Sequence, residues 1–114
     1  IVPPECQHNA HMYYILLPPG INRELLIRML RKEGVMTVFH YVPLHSSPGG
    51  LKFGRVSGSM KNTDGYSKRL LRLPLWTGLQ ETEQKKIMSL LKYTIRKVIN
   101  VTPKVPTSVI RGVN

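Results

Sequence analysis

Acidic residues are scarce in this chain: six Asp and Glu stand against 17 Lys and Arg in 114 residues, for a formal net charge of +11. Such an excess suits nucleic acid, an anionic membrane surface or a phosphate-bearing small molecule, and net charge alone does not choose among them. Cysteine is nearly missing. With Cys6 as the sole thiol no internal disulfide can form, which fits a reducing compartment and a cytoplasmic location. Cys6 lies in the lead Val2-Pro3-Pro4-Glu5-Cys6, a poor setting for a nucleophile. Apolar runs are far shorter than the ~20 residues a membrane helix needs, and nothing resembles a signal peptide. The chain opens on Ile1 rather than Met, which points to processing or to a longer parent. No glycines stand at Walker or dinucleotide-binding spacing, and no Ser or Cys lies in a nucleophile-elbow context. The four histidines lack partners at zinc-ligand spacing, so a metal site is disfavoured.

What remains is one small domain with 41% hydrophobic residues, enough for a modest core. Residues 1–9 read as an extended lead, since Pro3 and Pro4 block a helix. His11 to Leu17 is rich in aromatic and aliphatic side chains and reads as a strand ended by Pro18-Pro19-Gly20. Asn22 is a helix N-cap candidate, because its amide oxygen can accept from a free N–H of the first turn. The helix would run from Arg23 to Glu33, bury Leu26, Met29 and Leu30, pair Glu24 with Arg28 and stop at Gly34. A second strand is expected over Val35 to Tyr41. The β-α-β order suggests two neighbouring parallel strands, with a split arrangement as the alternative.

Residues 43–62 carry Pro43, Pro48 and four glycines, and read as a long loop of the kind that is functional or disordered. A second helix, capped by Thr63 or Asp64, is expected from Gly65 to Arg72, then a short extended piece Leu73-Pro74-Leu75-Trp76. Gln80 and Glu83 mark the start of a last helix from Glu81 to Val98, whose Ile87, Leu90, Leu91, Ile95 and Val98 form a core stripe. Residues 99–114, broken by Pro103 and Pro106, read as a flexible tail.

Chemistry concentrates where the second strand meets the loop, in His40-Tyr41-Val42-Pro43-Leu44-His45. Two imidazoles and a phenol bunched at a strand end can be held rigidly and still face a ligand. They exchange hydrogen bonds with hydroxyls and phosphates, while Lys52 and Arg55 can offset negative charge. A Pro-containing turn with incidental histidines fits the same residues, as does a free-standing basic module that binds nucleic acid or phosphate. No known nucleic-acid signature is present, and the basic residues are scattered over separate helix faces.

The stretch His40 to Pro48, followed by Lys52-Phe53-Gly54-Arg55, resembles the C-terminal part of the DegT/DnrJ/EryC1/StrS sugar aminotransferases. Three further blocks agree in order: Asn9 to Tyr14, Ser67 to Leu75, and Gly78-Leu79 with Glu83-Gln84. The short form Tyr41-Val42-Pro43-Leu44-His45 is similar to the branch that makes dTDP-4-amino-4,6-dideoxygalactose for common antigen; most of the family has one more residue between its Tyr and the Pro-Leu-His. The resemblance implies an α+β fold: the small C-terminal domain, over residues 1–98, of a fold-type I pyridoxal-phosphate aminotransferase, with a sheet of about three strands against three helices. The implied parent is a homodimer that moves an amino group from glutamate to a nucleotide-linked 4-keto-6-deoxy sugar. The family's Schiff-base lysine lies in a large N-terminal domain absent here, and no lysine of this chain stands in the matching motif. The chain alone is therefore expected to be inactive and to hold no cofactor. By the same resemblance His40 and Tyr41 are expected to contact the sugar nucleotide, with His45 and Arg55 beside them.

Overall fold

Pro18, Pro19 and Gly20 end the first strand (β1, Tyr13–Leu16), and Asn22 starts the first helix (α1, Arg23–Lys32). The Asn22 Oδ1 accepts from the Leu25 N–H at 3.0 Å, as its short side chain predicts. The other end closes on Gly34, whose φ of +76° is left-handed. The Gly34 N–H reaches the Arg31 carbonyl at 3.0 Å and the Val35 N–H reaches the Leu30 carbonyl at 2.9 Å, so the orphan carbonyls of the last turn are satisfied. This is a computed structural model, and it describes residues 3–101. Its remaining elements are α2 (Pro48–Phe53), α3 (Lys61–Arg69), β2 (Leu70–Leu73) and α4 (Glu81–Val101), with a 3-10 turn at Leu44–Ser46.

The protein has the expected α+β character, with a two-stranded sheet and four helices. The sheet pairs β1 with β2 antiparallel, Tyr13 opposite Leu73 through Leu16 opposite Leu70. The second strand expected over 35–41 is reduced to one antiparallel bridge, Val38 opposite Arg72. Both neighbours of β2 run against it, so β1 and the Val38 segment run parallel to each other with β2 between them. The split arrangement is the one adopted; the two strands are not adjacent. Three more local expectations are corrected. The strand near Pro74 ends at Leu73, because Pro74 has no N–H to extend the ladder. The helix expected from Gly65 to Arg72 begins at Lys61 and yields to β2 at Leu70, so Thr63 and Asp64 lie inside its first turn rather than at its cap. The supposed loop over 43–62 contains the 3-10 turn and α2.

The core lies on one face of the sheet. Leu17, Leu71 and Leu73 meet Leu26 and Leu30 of α1, Val35, and Leu91 and Val98 of α4 in a single buried cluster. Three of the residues expected in the α1 and α4 stripes of the core, Leu26, Leu30 and Val98, are wholly buried. Gln80 caps α4, its N–H reaching the Glu83 carboxylate at 2.9 Å. The helix continues to Val101, past the expected end at Val98, and the rest of the expected tail lies outside the described residues.

Leu30→Ala should lower stability by about 2–5 kcal/mol, since the buried site cannot fully collapse. Gly34→Ala should cost about 1–2 kcal/mol through its backbone alone, because a Cβ there meets nothing within 4 Å. Guanidinium unfolding followed by circular dichroism measures both; a Gly34→Ala variant as stable as the parent would contradict the left-handed turn.

Candidate functional site

The strand bridge at Val38 sends the chain past the start of α1 and on to Pro43, where it turns through Leu44–Ser46 into α2. Short-range bonds build this corner. Ser46 Oγ donates to the Pro43 carbonyl at 3.1 Å and Ser47 Oγ to the Leu44 carbonyl at 2.8 Å, while Ser47 Oγ accepts from the Gly50 N–H at 3.0 Å. Gly50 packs so tightly that a Cβ would sit 1.7 Å from the Leu44 carbonyl oxygen, so only glycine fits there.

Two longer bonds tie the corner to the helices. His45 Nε2 and Asp64 Oδ1 of α3 lie 3.0 Å apart, which pins the 3-10 turn to α3. Arg23, at the start of α1, extends its Nη1 to the carbonyls of Ser67 and Leu70 and stacks its guanidinium 5.6 Å from the Phe39 ring centroid. That one side chain joins α1, the α3–β2 junction and the 35–41 segment. Burial lowers the Arg23 pKa and the neighbouring Glu24 partly restores it. Its ordinary value is so high that it stays charged at neutral pH.

Between these ties lies an open cleft of about 540 Å³. Ile27, Phe39, Val42 and Pro43 give it an apolar floor; Arg28, Lys68, Ser46, Asp64 and Tyr41 give it polar edges. Tyr41 is 80% exposed, and its ring takes the edge of His40 at 4.7 Å between centroids. The expected Glu24–Arg28 ion pair is not formed, although both residues line the cleft. A floor of this kind can stack a base or sugar, and the cationic rim can meet a phosphate.

The four residues singled out in the sequence are placed differently. Tyr41 lines the cleft. His45 is joined to it through Asp64. His40 supports Tyr41 without lining the cleft, and its Nδ1 is buried with no hydrogen-bond partner among the described residues. Arg55 is exposed beyond α2 and is not among the lining residues. Asp64, Arg23, Arg28 and Lys68 escaped the sequence reading because each looked like an ordinary helix residue. Only the pairing of β2 with the Val38 segment brings the two helix ends together.

Among the described residues no group of three or more His, Cys, Asp or Glu could hold a metal ion. No described helix is long and apolar enough to cross a membrane.

Comparison with known proteins places these elements in context. The model of the DegT/DnrJ/EryC1/StrS aminotransferase family matches residues 1–92. An uncharacterised protein of Methanocaldococcus jannaschii is 28% identical over 90 residues, 75% of this chain and 23% of its own length. A pleiotropic regulatory protein of Geobacillus stearothermophilus is 29% identical over 82 residues, 71% of this chain and 21% of its own. The chain thus spans less than a quarter of the curated relatives it matches. Among solved structures, a Streptococcus pneumoniae protein assigned as a sugar aminotransferase, in its PMP form, superposes with a TM-score of 0.67 at 27% identity over 77% of this chain and 23% of that one. An aminotransferase of the same family from Brucella abortus gives a TM-score of 0.61 at 28% identity, over 72% and 21%.

Arg23→Met should leave the Ser67 and Leu70 carbonyls without their donor and cost about 1–3 kcal/mol, read by chemical unfolding. Asp64→Ala should free the 3-10 turn, raising amide exchange at Ser46 and Ser47 up to about tenfold. Unchanged exchange at those two amides would show that the His45–Asp64 contact does not hold the turn.

Proposed function

This chain belongs to the DegT/DnrJ/EryC1/StrS aminotransferase family, and we propose that it is the substrate-side lobe of a sugar aminotransferase whose catalytic centre lies in a larger domain. The observation that carries the reading is the cleft itself. It joins an apolar floor, an exposed phenol and two cations, Arg28 and Lys68, that have no ion-pair partner among the described residues, in a lobe that makes up about a fifth of its solved relatives. An anionic, hydroxylated ligand such as a nucleotide-linked sugar suits that combination. Family membership also weighs against the free-standing nucleic-acid or phosphate module.

The family implies pyridoxal phosphate in the parent enzyme. The residues described here do not fit it: every lysine among them is exposed, whereas a Schiff-base lysine is activated by desolvation or a neighbouring charge. The cofactor would be held by the rest of the enzyme, where it supplies the carbanion chemistry. This lobe would bind and orient. Tyr41 would hydrogen-bond a sugar hydroxyl from the open edge of the cleft. His45, fixed by Asp64, would hold the turn behind it, and His40 would fix the Tyr41 ring. Arg28 and Lys68 would face the diphosphate, with Arg55 on a more distant loop.

The short Tyr41-to-His45 spacing supports a dTDP-linked 4-keto-6-deoxy sugar as the substrate, as in the dideoxygalactose branch, with glutamate as amino donor and a homodimeric parent. Removal of a buried or shielded hydrogen-bonding group at such a site costs about tenfold or more. Titration of a dTDP-sugar into the full-length enzyme tests this: Tyr41→Ala should weaken binding about tenfold. Unchanged affinity and turnover would remove Tyr41 from the site. The 114-residue chain by itself should show no transaminase turnover, and measurable turnover would end the reading of a dependent lobe.

A further inference from the structure

The outer side of α4 carries charge that the fold itself does not use. From Gln84 to Val101 the helix holds five Lys and Arg and no Asp or Glu. Its buried positions, Leu91, Thr94 and Val98, turn toward the core. Lys85, Ser89, Lys92 and Arg96 follow one another at spacings of four, three and four, so they form one stripe on the opposite side. Lys86 and Lys97 flank that stripe, and all five cations are exposed. Arg31 and Lys32 extend the charge onto α1, which packs against α4.

Three ordinary reasons for such charge fail here. A helix dipole favours cations in the last turn, and the last turn of α4 has none. Ion pairing accounts only for Lys85, whose Nζ meets Glu81 Oε1 at 2.7 Å; Lys86, Lys92, Arg96 and Lys97 have no ion-pair partner among the described residues. A merely solvated face mixes both signs, because like charges four apart repel, yet Lys92 and Arg96 are such a pair. Tyr93 lies amid these cations, 55% exposed, with Lys97 Nζ 4.4 Å from its ring centroid. An amphipathic ring among Lys and Arg is the combination that settles at the headgroup level of a bilayer.

We propose that the outer face of α4 docks on an anionic lipid bilayer, with Lys92 and Arg96 against headgroup phosphates and Tyr93 beside them at the interface. Shape selects this partner among polyanions. A helix of 21 residues is a rod about 30 Å long, and α1 lies against it. Cations on the outer side of two packed helices meet a plane together. A nucleic-acid duplex is read instead by an element that projects into a groove about 12 Å wide, and α4, flanked by α1, belongs to a broader layer. The contact is peripheral, since no described helix is long and apolar enough to cross the bilayer. It depends on neither the cleft nor the identity of the sugar.

Vesicle co-sedimentation tests the surface. The 114-residue chain is mixed with vesicles of phosphatidylglycerol and phosphatidylcholine, or of phosphatidylcholine alone. It should sediment with the anionic vesicles, be released by about 0.5 M salt, and stay in solution with the neutral ones. Lys92→Gln combined with Arg96→Gln should weaken the binding about thirtyfold. Lys52→Gln combined with Lys61→Gln removes the same charge from outside α1 and α4, and should weaken it less than about threefold. Circular dichroism confirms that both variants keep the parent's fold. Equal losses in the two variants would assign the binding to net charge and overturn the proposal. Equal sedimentation with neutral vesicles would assign it to apolar surface, with the same consequence, and so would no sedimentation with either. Tighter binding to duplex DNA than to anionic vesicles at equal phosphate concentration, lost in the Lys92 and Arg96 variant, would give the face to nucleic acid and overturn the lipid as its partner.

Discussion

Everything in this lobe is arranged around the insertion of β2 between β1 and the Val38 segment. Arg72 exchanges backbone hydrogen bonds with Val38 at 2.8 and 3.2 Å while its own strand pairs with β1 on the other side. That insertion brings residues 34 to 60 positions apart in sequence into one sheet. It carries the end of α3 to the start of α1, where Arg23 closes the junction. Without it, neither the cleft nor the outer face of the sheet would exist. The hydrophobic core stabilises the arrangement but does not select it, because burial of Leu17, Leu26 and Leu71 is non-directional.

Local signals were legible in the sequence wherever the chemistry was local. Asn22, Gly34 and the Gln80–Glu83 pair act through bonds spanning three to five residues, and each lies at the helix end its residue type predicts. The apolar stripes of α1 and α4 were equally clear, since helical spacing writes itself into the residues. The strand expected over 35–41 failed for the opposite reason. Its run of apolar residues is real, yet only one side of it meets a partner, and beyond Val38 the chain is drawn toward Pro43. The loop reading of 43–62 failed because glycine and proline there serve helix caps and close packing. Pro48 opens α2, and Gly50 makes room for the Leu44 carbonyl.

The candidate site shows the same division. Tyr41 and His45 could be singled out because phenol and imidazole side chains announce their chemistry. Asp64, Arg28 and Lys68 could not, since a charged residue on a helix reads as solvated surface until another element is folded against it. The family resemblance is borne out at the level of the family, whose model spans nearly all of the described elements. It did not reveal that the two imidazoles have separate settings, one against a tyrosine ring and the other against a carboxylate.

The two-sided strip from Val38 to Tyr41 constrains how such a lobe can change length. Inserting or deleting one residue within it would turn every following side chain to the opposite side, so the cleft and the far surface of the sheet would exchange linings. Past Tyr41 the chain turns through Pro43 into the 3-10 turn and the penalty disappears. Val42, the one residue between Tyr41 and Pro43, falls there. Length variation is thus free to reshape the pocket's rim only at the first position where alternation no longer binds it.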